Sequence, residues 1–126
     1  MRKLLLAALL FTASTAGADV SIVDNNQTVN VDCAKDPSVS VAGNGAKVTL
    51  NGNCKTVVLA GNQATVTGSA ASVSIAGNDN TGTFDAVDSL SITGNNNTVT
   101  YKKATDAKKK TKVSNLGTKN AVSQAK

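Results

Sequence analysis

The chain has 126 residues, with 13 Lys or Arg against 8 Asp, no Glu and no His, for a formal charge of +5. Phe11, Phe84 and Tyr101 are its only aromatic residues. The missing imidazole removes the usual catalytic triad, the His general base and the common zinc and iron sites, and scarce aromatics leave no stacking platform for sugars or single-stranded nucleic acid. The length fits one domain without a large mixed core.

Met1-Arg2-Lys3 is a short basic segment, residues 4–11 form an apolar run, and Ala16-Gly17-Ala18 has the small-x-small form of a signal-peptidase site. This pattern predicts a secretory signal peptide over residues 1–18, cleaved after Ala18 and too short to remain as a membrane span. No cysteine follows the cleavage point, which argues against a lipid anchor. Residues 19–126 then carry 11 Lys against 8 Asp and contain no further run of membrane length. The expected product is periplasmic or secreted, with no transmembrane segment.

The rest of the chain is dominated by self-similarity. Five segments align: IVDNNQTVNV from Ile22, VAGNGAKVTL from Val41, LAGNQATVTG from Leu59, IAGNDNTGTF from Ile75 and ITGNNNTVTY from Ile92. Each spans nine residues between inner positions, and the returns between segments are 10, 9, 7 and 8 residues, so full repeats measure 19, 18, 16 and 17. Within each half the pattern alternates apolar and polar in β-branched residues, bounded by Gly-Asn or Asn-Asn, which reads as short strands between turns. Translation at this period predicts an all-β, single-stranded parallel β-solenoid of about six coils with 16–19 residues per coil, one domain over 19–126. Parallel crossovers favour a right-handed coil.

Stacking the repeats gives four inward columns: Val20, Val39, Val57, Val73, Leu90; Ile22, Val41, Leu59, Ile75, Ile92; Val29, Val48, Val66, Gly82, Val99; and Val31, Leu50, Gly68, Phe84, Tyr101. Phe84 is expected to fill volume left by both Gly68 and Gly82. Asn25, Asn44, Asn62, Asn78 and Asn95 share one turn site, preceded from the second coil by Gly43, Gly61, Gly77 and Gly94. Positive φ at the glycines, and left-handed tolerance with amide bonding at the asparagines, are the expected reasons.

Cys33 and Cys54 lie 21 residues apart in the variable returns of neighbouring coils. In an oxidising compartment they are expected to form a disulfide, stabilising by about 3 kcal/mol in the chain-entropy model. A lone thiol pair without His is a poor metal site, and neither a metal nor a cofactor is expected.

Towards the C-terminus, VSNLGTKNAVSQ from Val113 aligns with LSITGNNNTVTY from Leu90, so residues 113–124 are expected to form a capping coil whose inner sites turn polar at Asn115 and Gln124. The Lys-rich stretch at 102–112 becomes a lengthened loop before it. Lys102, Lys103, Lys108, Lys109, Lys110 and Lys112 are candidate anion-binding residues, opposite a body (residues 19–101) that holds 3 Lys and 7 Asp. An anionic envelope polymer or a protein is the candidate partner, against the simpler reading of a solvated loop. Nucleic acid is not expected without interleaved Arg and aromatics.

Two other readings remain. Asp85 and Asp88 are the only acid pair suited to a secreted carbohydrate-active enzyme, and turn chemistry explains them without catalysis. Thr49, Thr65, Thr67, Thr81, Thr83, Thr98 and Thr100 form a candidate flat face; Thr-x-Thr pairs in register resemble the hydroxyl arrays of ice-binding solenoids used at crystal or cell surfaces, although Thr is also simply favoured on exposed strands.

VDC at 31–33, LNGNC at 50–54, DSLSITGNNNTVTYKK at 88–103 and KVSNLGTKN at 112–120 together resemble small exported bacterial proteins classed as the domain of unknown function numbered 3060, DUF3060. The resemblance covers essentially all of residues 19–126, and Gly68 and Gly82 depart from it where apolar residues are usual. It implies a parallel β-solenoid outside the cytoplasm and carries over no reaction, ligand or catalytic residue. The functional expectation is therefore a non-enzymatic binding or structural protein of the envelope or the exterior.

Overall fold

A computed structural model describes residues 19–106 and 108–125. The signal-peptide expectation for residues 1–18 lies outside them. Alternating β-branched residues hold the chain extended, and nine strands result: β1 (Asp19–Ile22), β2 (Thr28–Asp32), β3 (Ser38–Val41), β4 (Lys47–Leu59), β5 (Thr65–Ile75), β6 (Thr81–Ile92), β7 (Thr98–Lys103), β8 (Lys112–Asn115) and β9 (Ala121–Gln124). All pairings are parallel. Two ladders share the long strands: one runs from β1 through β3 and the second halves of β4, β5 and β6 to β8, the other from β2 through their first halves to β7 and β9.

This is a β-solenoid with six rungs on each ladder, which is five full turns and part of a sixth. The register Asp19, Ser38, Thr56, Ser72, Ser89, Lys112 advances by 19, 18, 16, 17 and then 23 residues. The first four steps are those of the sequence repeat, and the fifth contains the lengthened loop. The short strands expected on either side of the variable return fuse, so that β4, β5 and β6 run for 13, 11 and 12 residues. Residues at that corner still pair with the neighbouring coil, as Cys54 does with Ala70 and Val87 with Ala70. The Lys-rich region also starts and ends within strands: Lys102 and Lys103 close β7, and Lys112 opens β8.

The inward columns form the core. Val41, Val57, Leu59, Val66, Ile75, Ile92 and Val99 are fully buried. Phe84 is 1% exposed, and a Cβ on Gly82 would come within 2.6 Å of its ring, so the large ring occupies the space Gly82 leaves. The same account fails at Gly68. Its register with Leu50 is broken by an irregularity, its φ is 138°, and a Cβ there would meet Leu50 rather than Phe84. Gly68 is required by its positive φ beside the register irregularity and by the crowding of Leu50.

The turns also depart from expectation. Gly43, Gly61, Gly77 and Gly94 do not have positive φ. A Cβ on Gly61, Gly77 or Gly94 would land on the carbonyl oxygen of the glycine in the coil below, and one on Gly43 would land on that of Asp24. Close backbone stacking, not backbone freedom, selects glycine here. The left-handed residues sit two positions later, at Asn26, Gly45, Gln63, Asp79, Asn96 and Lys119, with φ of 58–69°. The exposed asparagines between them form the expected amide ladder: Asn44 N–H donates to Asn25 Oδ1 at 2.8 Å, Asn62 to Asn44 at 3.0 Å and Asn78 to Asn62 at 2.9 Å.

A second amide ladder is internal. Asn80 and Asn97 are completely buried, yet each side chain is bonded in two directions. Asn97 Oδ1 accepts from Asn80 N–H at 2.8 Å while its Nδ2 donates to the Gly77 carbonyl at 3.0 Å. Asn120 extends the series, accepting from Asn97 N–H and donating to Gly94 and to Asn115 Oδ1. The last rung covers the core with amides, since Gln124 Nε2 donates to the Lys102 carbonyl. The disulfide forms between Cys33 and Cys54, both buried, with Cα atoms 4.7 Å apart.

The stacking constraint gives a direct expectation. Gly77→Ala should cost about 3 kcal/mol, because the Gly61 carbonyl that its methyl would strike is fixed in the ladder. Urea unfolding should show a lower midpoint at an unchanged slope.

Candidate functional site

The basic loop begins where β7 leaves the fifth coil and ends where β8 starts the sixth. Three hydrogen bonds hold it to the solenoid. Asp88, at the β6 corner, accepts from Thr105 N–H at 2.7 Å and from Thr105 Oγ1 at 2.6 Å. Thr111 Oγ1 donates to the Val87 carbonyl at 2.6 Å. Ala104 is buried beneath the loop, and Asp106 closes a turn by accepting from Lys108 N–H at 2.9 Å. The Thr105 hydroxyl, then its N–H, and then the charge of Lys109 hold the Asp88 carboxyl below its ordinary 3.8.

Lys103, Lys108, Lys109, Lys110 and Lys112 are all exposed. Lys102 pairs with Asp85 at 3.5 Å, but both side chains are more than half exposed, at 58% and 68%, so the pair adds little stability. Among the described residues none of the other five lysines has an ion-pair partner. Lys109, Lys110 and Thr111 form a wall between two open hollows of about 560 and 360 Å³; Asp88, Ser89 and Lys112 line the first, and Tyr101, Lys103 and Gln124 line the second. The structure thus gathers five of the six candidate lysines around one anchored loop and ties back the sixth.

The acid pair is committed elsewhere. Asp88 anchors Thr105 and Asp85 faces Lys102. The flat face is in register: Thr65, Thr81 and Thr98 form one column, and Thr49, Thr67, Thr83 and Thr100 form the next. Asn30 and Lys47 interrupt its start. Among the described residues no hydroxyl of this face is bonded within the chain, whereas those of Thr93, Thr105, Thr111 and Thr118 are.

Sequence reasoning missed the loop anchors Thr105 and Thr111, which no local pattern announces. It also missed a serine column on the other ladder: Ser21, Ser40, Ser74, Ser91 and Ser114 share one outward row, broken by Val58. The Ser-x-Ser spacing at 38–40, 72–74 and 89–91 was the available signal.

Residues 60–119 match the family model described as "Protein of unknown function (DUF3060)". This stretch belongs to the DUF3060 family. The DUF3060 match contains the basic loop, both aspartates and three complete Thr-x-Thr pairs, and it leaves out the disulfide and the first two coils. No curated protein and no solved structure matches the chain.

The depressed Asp88 carboxyl sets a pH window. Its anchoring of the loop is present above about 3.8 and is lost as the pH falls through the lower folded value. Asp88→Ala should release the loop at neutral pH, raising both cleavage by a lysine-specific protease at Lys108–Lys110 and Thr105 amide exchange several-fold, and wild type should show that loss of Thr105 protection only below pH 3.8.

Proposed function

We propose that the chain is an exported, non-enzymatic binding module that attaches to an anionic polymer of the cell envelope through its basic loop. The observation that carries this reading is the anchored loop itself: with its flanking strand ends it presents five ammonium groups that have no ion-pair partner among the described residues, at one end of a solenoid whose residues 19–101 hold 3 Lys against 7 Asp. Concentrating one sign of charge at one end orients the molecule towards a polyanion and speeds its capture. Export is supported by the basic-apolar-small pattern of residues 1–18 and by the Cys33–Cys54 disulfide, which suits an oxidising compartment. The non-enzymatic reading is supported by the employment of Asp88 and Asp85 in holding the loop and pairing Lys102.

Retention on immobilised dextran sulfate and on isolated envelope fractions tests the attachment. Replacing Lys108, Lys109 and Lys110 with Ala should weaken retention on the order of tenfold at low salt and flatten its salt dependence. Unchanged retention rejects the reading.

The register of the Thr face and its seven hydroxyls, unbonded among the described residues, favour one further reading, contact with an ordered surface such as ice. Wild type should then show thermal hysteresis that Thr67→Tyr abolishes; a silent wild type removes the idea.

A further inference from the structure

A solenoid presents an unpaired edge at each end, and such edges recruit further strands. The sixth coil has unused bonding capacity. In each earlier coil the left-handed turn residue donates its N–H to the coil above, as Asn26 does to Asn44, Asp79 to Asn95 and Asn96 to Thr118. Lys119 occupies the same left-handed site in the sixth coil and has no such acceptor among the described residues. The Asn120 N–H is likewise without a partner there, where Asn80 and Asn97 bond an amide of the next coil.

The N-terminal coil of a second copy fits that edge in almost every respect. Continuing the ladder would set Asp19 beside Lys112, Val20 on Val113, Val29 on Val122 and Asn26 on Lys119. Charge favours the approach, because residues 19–37 sum to −3 and residues 102–125 to +6. Val113, at 41% exposure, and the half-buried Val20 and Val29 would all lose water.

One position breaks the match. From the second to the sixth coil the stacking slot is Gly43, Gly61, Gly77, Gly94 and Gly117, where any Cβ would strike the carbonyl beneath. In the first coil that slot holds Asp24. Its Cβ has no coil below it in one copy, but would fall on the Gly117 carbonyl of another. We infer that Asp24 is a steric end-stop, which keeps the C-terminal edge of one copy from capturing the N-terminal coil of the next. The inference rests on removal of residues 1–18, which leaves the first coil at the end of the molecule. Because the opposed ends attract electrostatically, the block lies in the Asp24 methylene and not in its charge.

The test uses processed protein, oxidised and with matched circular dichroism, sedimented over a concentration series. Asp24 is exposed and its carboxylate makes no hydrogen bond among the described residues, so its replacement leaves the coil intact. Wild type, Asp24→Asn and Asp24→Ala should stay at monomer mass, whereas Asp24→Gly should rise with concentration to about twice that mass or more, the mark of an open heterologous contact. Adding Val113→Asp to Asp24→Gly should restore the monomer by setting a carboxylate against Val20 and Asp19. A monomeric Asp24→Gly, equal association by Asp24→Ala, or association by wild type overturns the end-stop. Intact mass separately reports whether residues 1–18 are gone; their retention overturns export, while the Gly-against-Ala comparison is scored on its own result.

Discussion

Parallel coils separated by about 4.8 Å leave no room for a side chain where one turn crosses directly over another. That spacing is the constraint from which the rest of this molecule follows. It selects Gly61, Gly77, Gly94 and Gly117 because their backbone lies against the carbonyl of the coil beneath. It also explains why the strand halves keep strict register through four repeats of unequal length: extra residues are absorbed at the opposite corner, where the chain stays extended and continues to pair.

Close stacking would leave turn amides buried without water, and an unpaired buried N–H is costly. The two asparagine ladders answer this in different environments. On the surface, Asn25, Asn44, Asn62 and Asn78 each accept from the backbone of the coil above. Inside, Asn80, Asn97 and Asn120 accept from an N–H of the coil below and donate to a turn glycine carbonyl of that same coil. In the second and third coils Ala46 and Ala64 fill the internal site instead, both fully buried. The polar lining therefore thickens towards the end where Asn115 and Gln124 close the core.

That end also bears the charge. The lengthened fifth turn interrupts neither ladder, because β8 and β9 resume the register at Leu90 and Val99. The loop is consequently an insertion tolerated at the permissive corner and then braced by Asp88, Thr105, Thr111 and Ala104. A scaffold that accepts length changes at one corner while holding the rest rigid is well suited to displaying a binding segment.

The repeat length, the inward columns, the polar sixth coil and the cysteine bridge were all legible in the sequence, because apolar alternation and fixed spacing are one-dimensional traces of a nearly one-dimensional fold. Gly82 beside Phe84 was legible for the same reason. Tertiary structure alone decided why the turn glycines are glycines, since the atom that excludes a Cβ belongs to a residue 16 to 23 positions earlier. It alone moved Gly68 from making room for Phe84 to a positive-φ site crowded by Leu50, and it alone distinguished the buried Asn97 from the exposed Asn95, two residues away in the same Asn run. The employment of Asp88 by Thr105 was hidden as well, because a hydrogen bond across 17 residues depends on where an irregular loop lands and leaves no periodic mark on the chain.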